Sequence, residues 1–256
     1  MKTRFFMERA LILAVLTTLL VAGAAQAGEE VVRDGVLHIS NENTPPGGVE
    51  TIKFEEMWRV GGEDGEDFFG LITQVVAGED GSIYLLDTRL AEVPVYSPEG
   101  ERQGTLSHEG EGPGETRLPT NMVMMPNGYL GLVQRFPGKI TLIDLQGNPQ
   151  GEIKPTVPGS DFFGLYDCFP NGKDQLTMAG GTFKQNGTTG GIEINFVSNF
   201  SAEGEELVRL TEIRTESDYS NFNFKEDEKE EINFRKVAVG PDGRVYVSRT
   251  RNSYEI

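Results

Sequence analysis

The fold is decided by the stretch Glu79-Asp80-Gly81-Ser82-Ile83-Tyr84-Leu85-Leu86-Asp87, in which an Asp-Gly turn leads directly into an apolar, aromatic run. Such a turn followed by such a run is typical of a β-hairpin. The pattern returns three times, as Met125-Pro126-Asn127-Gly128-Tyr129-Leu130, Phe169-Pro170-Asn171-Gly172 and Gly240-Pro241-Asp242-Gly243-Arg244-Val245-Tyr246-Val247. The chain is therefore built from repeats.

The spacing of the repeats indicates the architecture. A second turn follows within each of the first three copies, as Ser97-Pro98-Glu99-Gly100, Asp144-Leu145-Gln146-Gly147 and Ser201-Ala202-Glu203-Gly204. The two turn glycines lie 19 residues apart in the first two copies and 32 apart in the third, which predicts an insertion around residues 180–191. Successive copies begin 47 and 44 residues apart. Periods of about 40 to 50 residues are typical of four-stranded propeller blades.

The predicted fold class is therefore all-β, a β-propeller of four-stranded antiparallel blades. Each blade is a small sheet whose apolar faces are buried only by its neighbours. We expect a signal peptide at residues 1–27, a lead-in at 28–48 and an incomplete propeller at 49–256. The expected blades cover about 70–106, 119–153, 162–210 and 232–256, and the last stops near the start of its third strand.

The N-terminal residues have the pattern of an export signal. Lys2, Arg4 and Arg9 precede an apolar stretch at residues 10–25, and Ala25-Gln26-Ala27 fits a small-x-small cleavage site. The pattern predicts cleavage after Ala27, a periplasmic or extracellular location and no membrane span in the mature chain. An uncleaved N-terminal anchor is the alternative.

The net charge argues against nucleic acid as a partner, and the cysteine content excludes stabilisation by an intrachain disulfide. The chain carries 40 Asp and Glu against 23 Lys and Arg, a net charge of −17. Such a field repels phosphate backbones, so nucleic acid is not an expected partner. Cys168 is the only cysteine, which excludes an intrachain disulfide and, in an apolar repeat position, predicts a packing role.

The chain resembles the bacterial six-bladed β-propellers related to NHL repeats. The resemblance covers about residues 49–256 and is carried by residues 80–87, by Val95-Tyr96-Ser97-Pro98-Glu99-Gly100 and by the loop Glu109-Gly110-Glu111-Gly112-Pro113-Gly114-Glu115. It implies a complete ring of about six blades, of which this chain holds about three and a half. We therefore expect a fragment. Pro94 departs from the pattern, because proline within a strand favours an edge or a bulge.

No motif nominates a catalytic residue or a metal ligand. His38 and His108 lack the spacing of a zinc site. The acidic runs at 61–67 and 226–231 lack the alternation of an EF-hand, so solvated loops are the simpler interpretation. No cofactor is predicted, although calcium remains possible.

Polar residues on the innermost strands are the candidates for a ligand site, because these strands converge on the central channel. The candidates are Gln74, Asn121, Asp167 and Lys236; the alternative is that they only line a wet channel. Alignment on the turn glycines places Leu165 with Gln74 and Asn121, and Tyr166 with Val75 and Met122.

The repeats without a catalytic motif favour an exported binding module for an unidentified protein or small molecule. The alternative is a calcium-dependent propeller hydrolase or lyase, similar to propeller lactonases, in which Asp167 is a channel carboxylate. A third possibility is a structural domain of a larger surface assembly.

Overall fold

The computed structural model describes residues 29–33, 36–40, 48–62, 65, 67–158, 163–218, 220 and 237–248. The predicted signal peptide, Lys236 and the acidic run at 226–231 lie outside these residues. Every regular element in the described part is a β-strand, so the predicted all-β class is confirmed. No helix among these residues is long and apolar enough to cross a membrane.

The chain divides into two compact units, residues 1–56 and 57–256. The first unit contains the hairpin of β1 (Glu29–Arg33) and β2 (Val36–Ser40). The second unit contains three four-stranded antiparallel sheets and one further hairpin.

The first sheet consists of β3 (Ile72–Ala77), β4 (Ile83–Asp87), β5 (Val93–Tyr96) and β6 (Arg102–Leu106). The second consists of β7 (Pro119–Met124), β8 (Leu130–Gln134), β9 (Lys139–Ile143) and β10 (Pro149–Ile153). In both sheets the strands pair in chain order, which is the meander of a propeller blade.

The third sheet is longer. It consists of β11 (Phe163–Asn171), β12 (Gln175–Asn186), β13 (Gly190–Ser201) and β14 (Glu206–Asp218), and a final hairpin joins β15 (Val237–Val239) to β16 (Val245–Val247). The inserted residues continue the β12–β13 ladder as far as the pair Asn186 and Gly190. The insertion thus lengthens the sheet instead of forming a separate loop.

The repeated turns fold as their composition dictates. Gly81, Gly128 and Gly243 adopt φ values of 84°, 82° and 78°, which side chains with a Cβ rarely tolerate. In the first turn, Asp80 Oδ1 accepts the backbone N–H of Ser82 at 3.0 Å. This hydrogen bond closes the turn after which β4 runs antiparallel to β3.

The sheets stack face to face, with a core on each side of the second sheet. Met122 and Leu132 contribute to the core shared with the first sheet, whereas Val123 and Val133 contribute to the core shared with the third. Successive side chains of a strand point to opposite faces, so a sheet buried on both faces needs unbroken apolar runs. Because the second sheet is covered on both faces, all five residues of β8 are buried.

The pairing register corrects the glycine-based alignment of the third repeat. The first two hairpins are centred on Asp80 and Asn127, but the third is centred on Lys173. Because Gly172 precedes its hairpin centre instead of following it, the alignment is displaced by two residues there. The register therefore makes Asp167, not Leu165, the counterpart of Gln74 and Asn121.

Candidate functional site

A β-bulge lies at the same place in the first strand of all three sheets. The unpaired residues are Thr73, Thr120 and Tyr166, each at a shift in pairing register. A bulge bends its strand and re-aims the neighbouring side chains. The residues that follow it are the predicted candidates Gln74, Asn121 and Asp167.

Gln74 joins the first sheet to the second. Its Nε2 donates to the carbonyl oxygen of Met122 and its Oε1 accepts from the Met122 amide, both at 2.7 Å. The side-chain amide thus pairs with the peptide groups of the neighbouring sheet as another strand would.

Asn121 and Asp167 join the second sheet to the third. Asn121 Nδ2 donates to Asp167 Oδ1, and the same oxygen accepts the backbone N–H of Cys168 at 3.0 Å. The structure therefore brings two of the predicted candidates into contact, while Gln74 bonds to backbone and Lys236 lies outside the described residues. Their role toward a ligand stays a prediction.

A second set of polar residues ends the second strand of the first and of the second sheet. In the first sheet this residue is Asp87, fully buried, whose carboxylate accepts backbone N–H bonds of 2.6 to 3.1 Å from Gly70, Leu71, Arg89 and Leu90. Burial raises the pKa of this carboxyl, but the backbone donors together outweigh burial and leave its pKa below the usual value.

In the second sheet the equivalent residue is Gln134, which is also buried. Its Oε1 accepts from the Arg117 amide at 3.1 Å, and its Nε2 donates to the carbonyls of Phe136 and Pro137 at 3.4 and 3.1 Å. Gln134 thereby fixes the loop between β8 and β9. The third sheet has Gly180 at this place, and the Phe163 ring takes the space of a side chain there, since a Cβ on Gly180 would lie 2.6 Å from that ring.

That loop is also held against the third sheet. Arg135 O accepts from the Leu165 amide at 3.0 Å, and the Gly138 amide donates to Phe163 O at 3.1 Å. The two backbone hydrogen bonds bracket Phe136 and place it beside β11.

A pocket of about 340 Å³ opens at this junction. Three aromatic residues, Phe136, Tyr166 and Phe183, and two residues of opposite charge, Arg135 and Glu193, line it. Gly164, Gly181 and Thr182 complete the lining. Its size falls at the lower end of the roughly 300 to 1,000 Å³ common for small-molecule sites.

Tyr166 links the charged groups of the pocket. The Arg135 guanidinium lies 4.9 Å from the centre of the Tyr166 ring, a cation–π distance. Burial, together with the Glu193 carboxylate, raises the pKa of the Tyr166 hydroxyl above its usual value, although Arg135 opposes the shift. At neutral pH the hydroxyl is therefore a protonated donor between a cation and an anion.

Gly181 makes room for that hydroxyl. A Cβ at this position would lie 2.4 Å from the Tyr166 hydroxyl oxygen and 2.6 Å from Asn195 Oδ1. Only glycine lets the Tyr166 side chain reach across β12 in this position.

Sequence reasoning missed this pocket, because it assigned Tyr166 to the apolar position of Val75 and Met122. The bulge makes Tyr166 the unpaired residue instead. The signal that points to the pocket is the adjacent pair Gly180 and Gly181, of which Gly180 stands where the first two repeats carry Asp87 and Gln134.

The structure also describes the surroundings of two titratable residues considered in the sequence, Cys168 and His108. Cys168 is buried in the core shared by the second and third sheets, and burial raises the pKa of its thiol far above the usual range, which disfavours a thiolate nucleophile. His108 Nε2 lies 2.9 Å from Glu115 Oε1. Glu115 Oε2 also accepts the Gly112 amide at 2.7 Å, so the Gly-Pro-Gly-Glu loop folds around its own carboxylate.

The part of the chain that the structure describes contains no group of three or more His, Cys, Asp or Glu side chains placed to hold a metal ion. Asp167, the predicted channel carboxylate, already accepts two N–H groups on Oδ1.

Comparisons with known proteins give likeness in structure only. Neither a family model nor a curated protein sequence matches the chain. A crystal structure of a Bacteroides fragilis protein described as exported matches 46% of this chain and 32% of its own, at 16% identity and a TM-score of 0.38. A streptogramin B lyase structure matches 69% of this chain and 61% of its own, at 9% identity and a TM-score of 0.38. The structure of virginiamycin B lyase from Staphylococcus aureus matches 77% of this chain and 64% of its own, at 11% identity and a TM-score of 0.35.

The chain thus spans about one third to two thirds of the length of these structures. The neighbours are β-propeller-like proteins. The chain itself is all-β, and its four-stranded antiparallel sheets stack as propeller blades do.

Proposed function

We propose that this chain is an exported β-propeller that binds a small molecule in the pocket between its second and third sheets. The observation that supports the proposal is the pocket itself, lined by three aromatic rings, an arginine and a glutamate. An apolar cavity with a few convergent polar groups is the usual form of a ligand site.

The pocket is preorganised by the fold. Its lining comes from the β8–β9 loop of the second sheet and from β11, β12 and β13 of the third. Gln134 and the two backbone hydrogen bonds to Leu165 and Phe163 fix the loop before any ligand arrives. A site of this kind loses little conformational entropy on binding.

Other parts of the proposal rest on sequence. Export is supported by the basic and apolar pattern of residues 1–27, and a six-bladed, NHL-related ring by the repeat period and the Gly-Pro-Gly-Glu loop. Gln74, Asn121 and Asp167 are proposed to hold the sheets in register around the channel, with Lys236 as the fourth channel candidate.

The second candidate is a calcium-dependent propeller hydrolase or lyase, favoured by the carboxylate of Asp167 on an inner strand. Calcium takes six to eight oxygen ligands, and among the described residues Asp167 stands in no group of three or more His, Cys, Asp or Glu side chains placed to hold a metal ion.

A thermal-shift screen tests the binding function. The purified chain is mixed with small neutral, anionic and cationic metabolites, beside the variants Phe183→Ala at the pocket and Val75→Ala as a matched exposed apolar control. Binding at the pocket predicts compounds that raise the melting temperature of the wild type and Val75→Ala but not of Phe183→Ala. Compounds that stabilise all three proteins equally would place the site elsewhere.

A further inference from the structure

We infer that the pocket beside Tyr166 takes an uncharged saccharide, with an aromatic residue against the apolar face of a sugar ring and Arg135 and Glu193 on its hydroxyls. This inference rests on the proposed binding function and adds the chemical class of the ligand. It follows from the balance of charge, the shape of the lining and the volume.

The charges of the pocket favour a neutral ligand. Within the pocket, a ligand anion is attracted by Arg135 but repelled by Glu193, and a ligand cation is attracted by Glu193 but repelled by Arg135. A neutral group that both donates and accepts hydrogen bonds can pair with Arg135 and with Glu193 at the same time. Vicinal hydroxyls of a sugar have this property, because they donate to a carboxylate and accept from a guanidinium.

The Tyr166 hydroxyl adds a third polar group between these charges. It is protonated at neutral pH, since burial and Glu193 raise its pKa. It therefore supplies a donor and an acceptor without adding charge.

The rest of the lining suits the faces of a sugar ring. Phe136 and Phe183 are 56% and 42% exposed, so their rings are available at the pocket rim. Aromatic rings accept the C–H groups that cover the apolar face of a pyranose. Gly164 contributes no side chain, which lets a ligand approach the backbone of β11 closely.

The volume sets the size of the ligand. About 340 Å³ is small among ligand pockets and is suited to a mono- or disaccharide.

Saturation-transfer NMR and calorimetry on the whole chain test the class of ligand. The neutral probes are cellobiose, maltose, lactose and N,N′-diacetylchitobiose, and the charged aromatic probes are benzoate and benzylamine. We expect at least one disaccharide to bind, and Phe183→Ala to weaken it about tenfold. Val75→Ala is the control that should leave its affinity unchanged.

A charge variant sharpens the test. Glu193→Gln leaves Arg135 unopposed, so benzoate binding should strengthen about tenfold in this variant. If benzoate or benzylamine binds the wild type at the pocket and no disaccharide does, the saccharide inference is wrong but the binding function stands. If Phe183→Ala changes the binding of none of the six probes, both are contradicted.

Discussion

Gln74 forms two hydrogen bonds of 2.7 Å with the backbone N–H and C=O of Met122, across the interface between the first two sheets. Both partner atoms belong to the backbone of Met122, so the bond pair depends on the side-chain amide of Gln74 alone. The contact fixes the register of one blade against the next.

Replacing Gln74 by alanine should therefore destabilise the stacked sheets. The variant leaves the N–H and C=O of Met122 without these partners in a partly buried interface, which costs about 1–3 kcal/mol in the free energy of unfolding. Urea denaturation measures the loss. Thr73→Ala, at the exposed neighbouring residue, is the control and should change stability by less than about 0.5 kcal/mol. Equal losses in both variants would mean that the Gln74 contact contributes nothing.

Asp87 gives a prediction about acid stability. Its four backbone donors hold the pKa below the usual value in the folded chain, although burial opposes the shift. The stabilisation is therefore present above the unfolded pKa of about 3.9 and is lost as the pH falls through the lower folded pKa.

Asp87→Asn should remove this part of the acid dependence and should lower the unfolding free energy at pH 7 by about 1–3 kcal/mol, because charge-assisted hydrogen bonds are lost. Urea unfolding at pH 7 and at several values below pH 4 measures both effects. Asp174→Asn, at an exposed turn, should behave as the wild type. An unchanged pH profile in Asp87→Asn would show that the buried carboxylate is not responsible.

Gly181 predicts a packing effect at the pocket. A Cβ there meets the Tyr166 hydroxyl and Asn195 within 2.6 Å, so Gly181→Ala should cost about 1–3 kcal/mol of stability and displace Tyr166. Gly164→Ala is the matched control in the same pocket, since its Cβ lies 3.5 Å from the nearest atom. Thermal unfolding compares the two, and a larger loss in Gly164→Ala would contradict the described packing.

Much of the fold was predictable from sequence because it depends on local chemistry. Turn residues such as Asp80-Gly81 and Asn127-Gly128 specify hairpins, and a run without charged or polar side chains such as residues 130–133 in β8 indicates burial on both faces. The all-β class follows from these two signals.

The pocket was not predictable in the same way. It depends on a hairpin centred on Lys173 and on a bulge at Tyr166, and neither is determined by the turn glycine alone. The pocket also needs a loop from the neighbouring sheet, held by Gln134. Contacts between residues of different repeats produce no recognisable spacing pattern in a single sequence.

Calcium provides the test of the alternative function. Because Asp167 Oδ1 is already occupied by Asn121 and the Cys168 amide, we expect 5 mM calcium to leave the melting temperature unchanged. A ligand present at one hundred times its Kd would stabilise the fold by about 2.7 kcal/mol. A clear rise in melting temperature, abolished by Asp167→Asn, would favour the metal-dependent hydrolase or lyase instead.

Tyrosine-labelled NMR shows directly whether the pocket beside Tyr166 binds a ligand. The chain has seven tyrosines, few enough to identify the Tyr166 ring signal by its loss in Tyr166→Phe. Titration with the disaccharide probes should shift the Tyr166 signal and leave that of Tyr84, buried between the first two sheets, in place. Saturating shifts confined to other tyrosines, or no Tyr166 shift with the disaccharides or with benzoate and benzylamine, would show that this pocket is not the binding site.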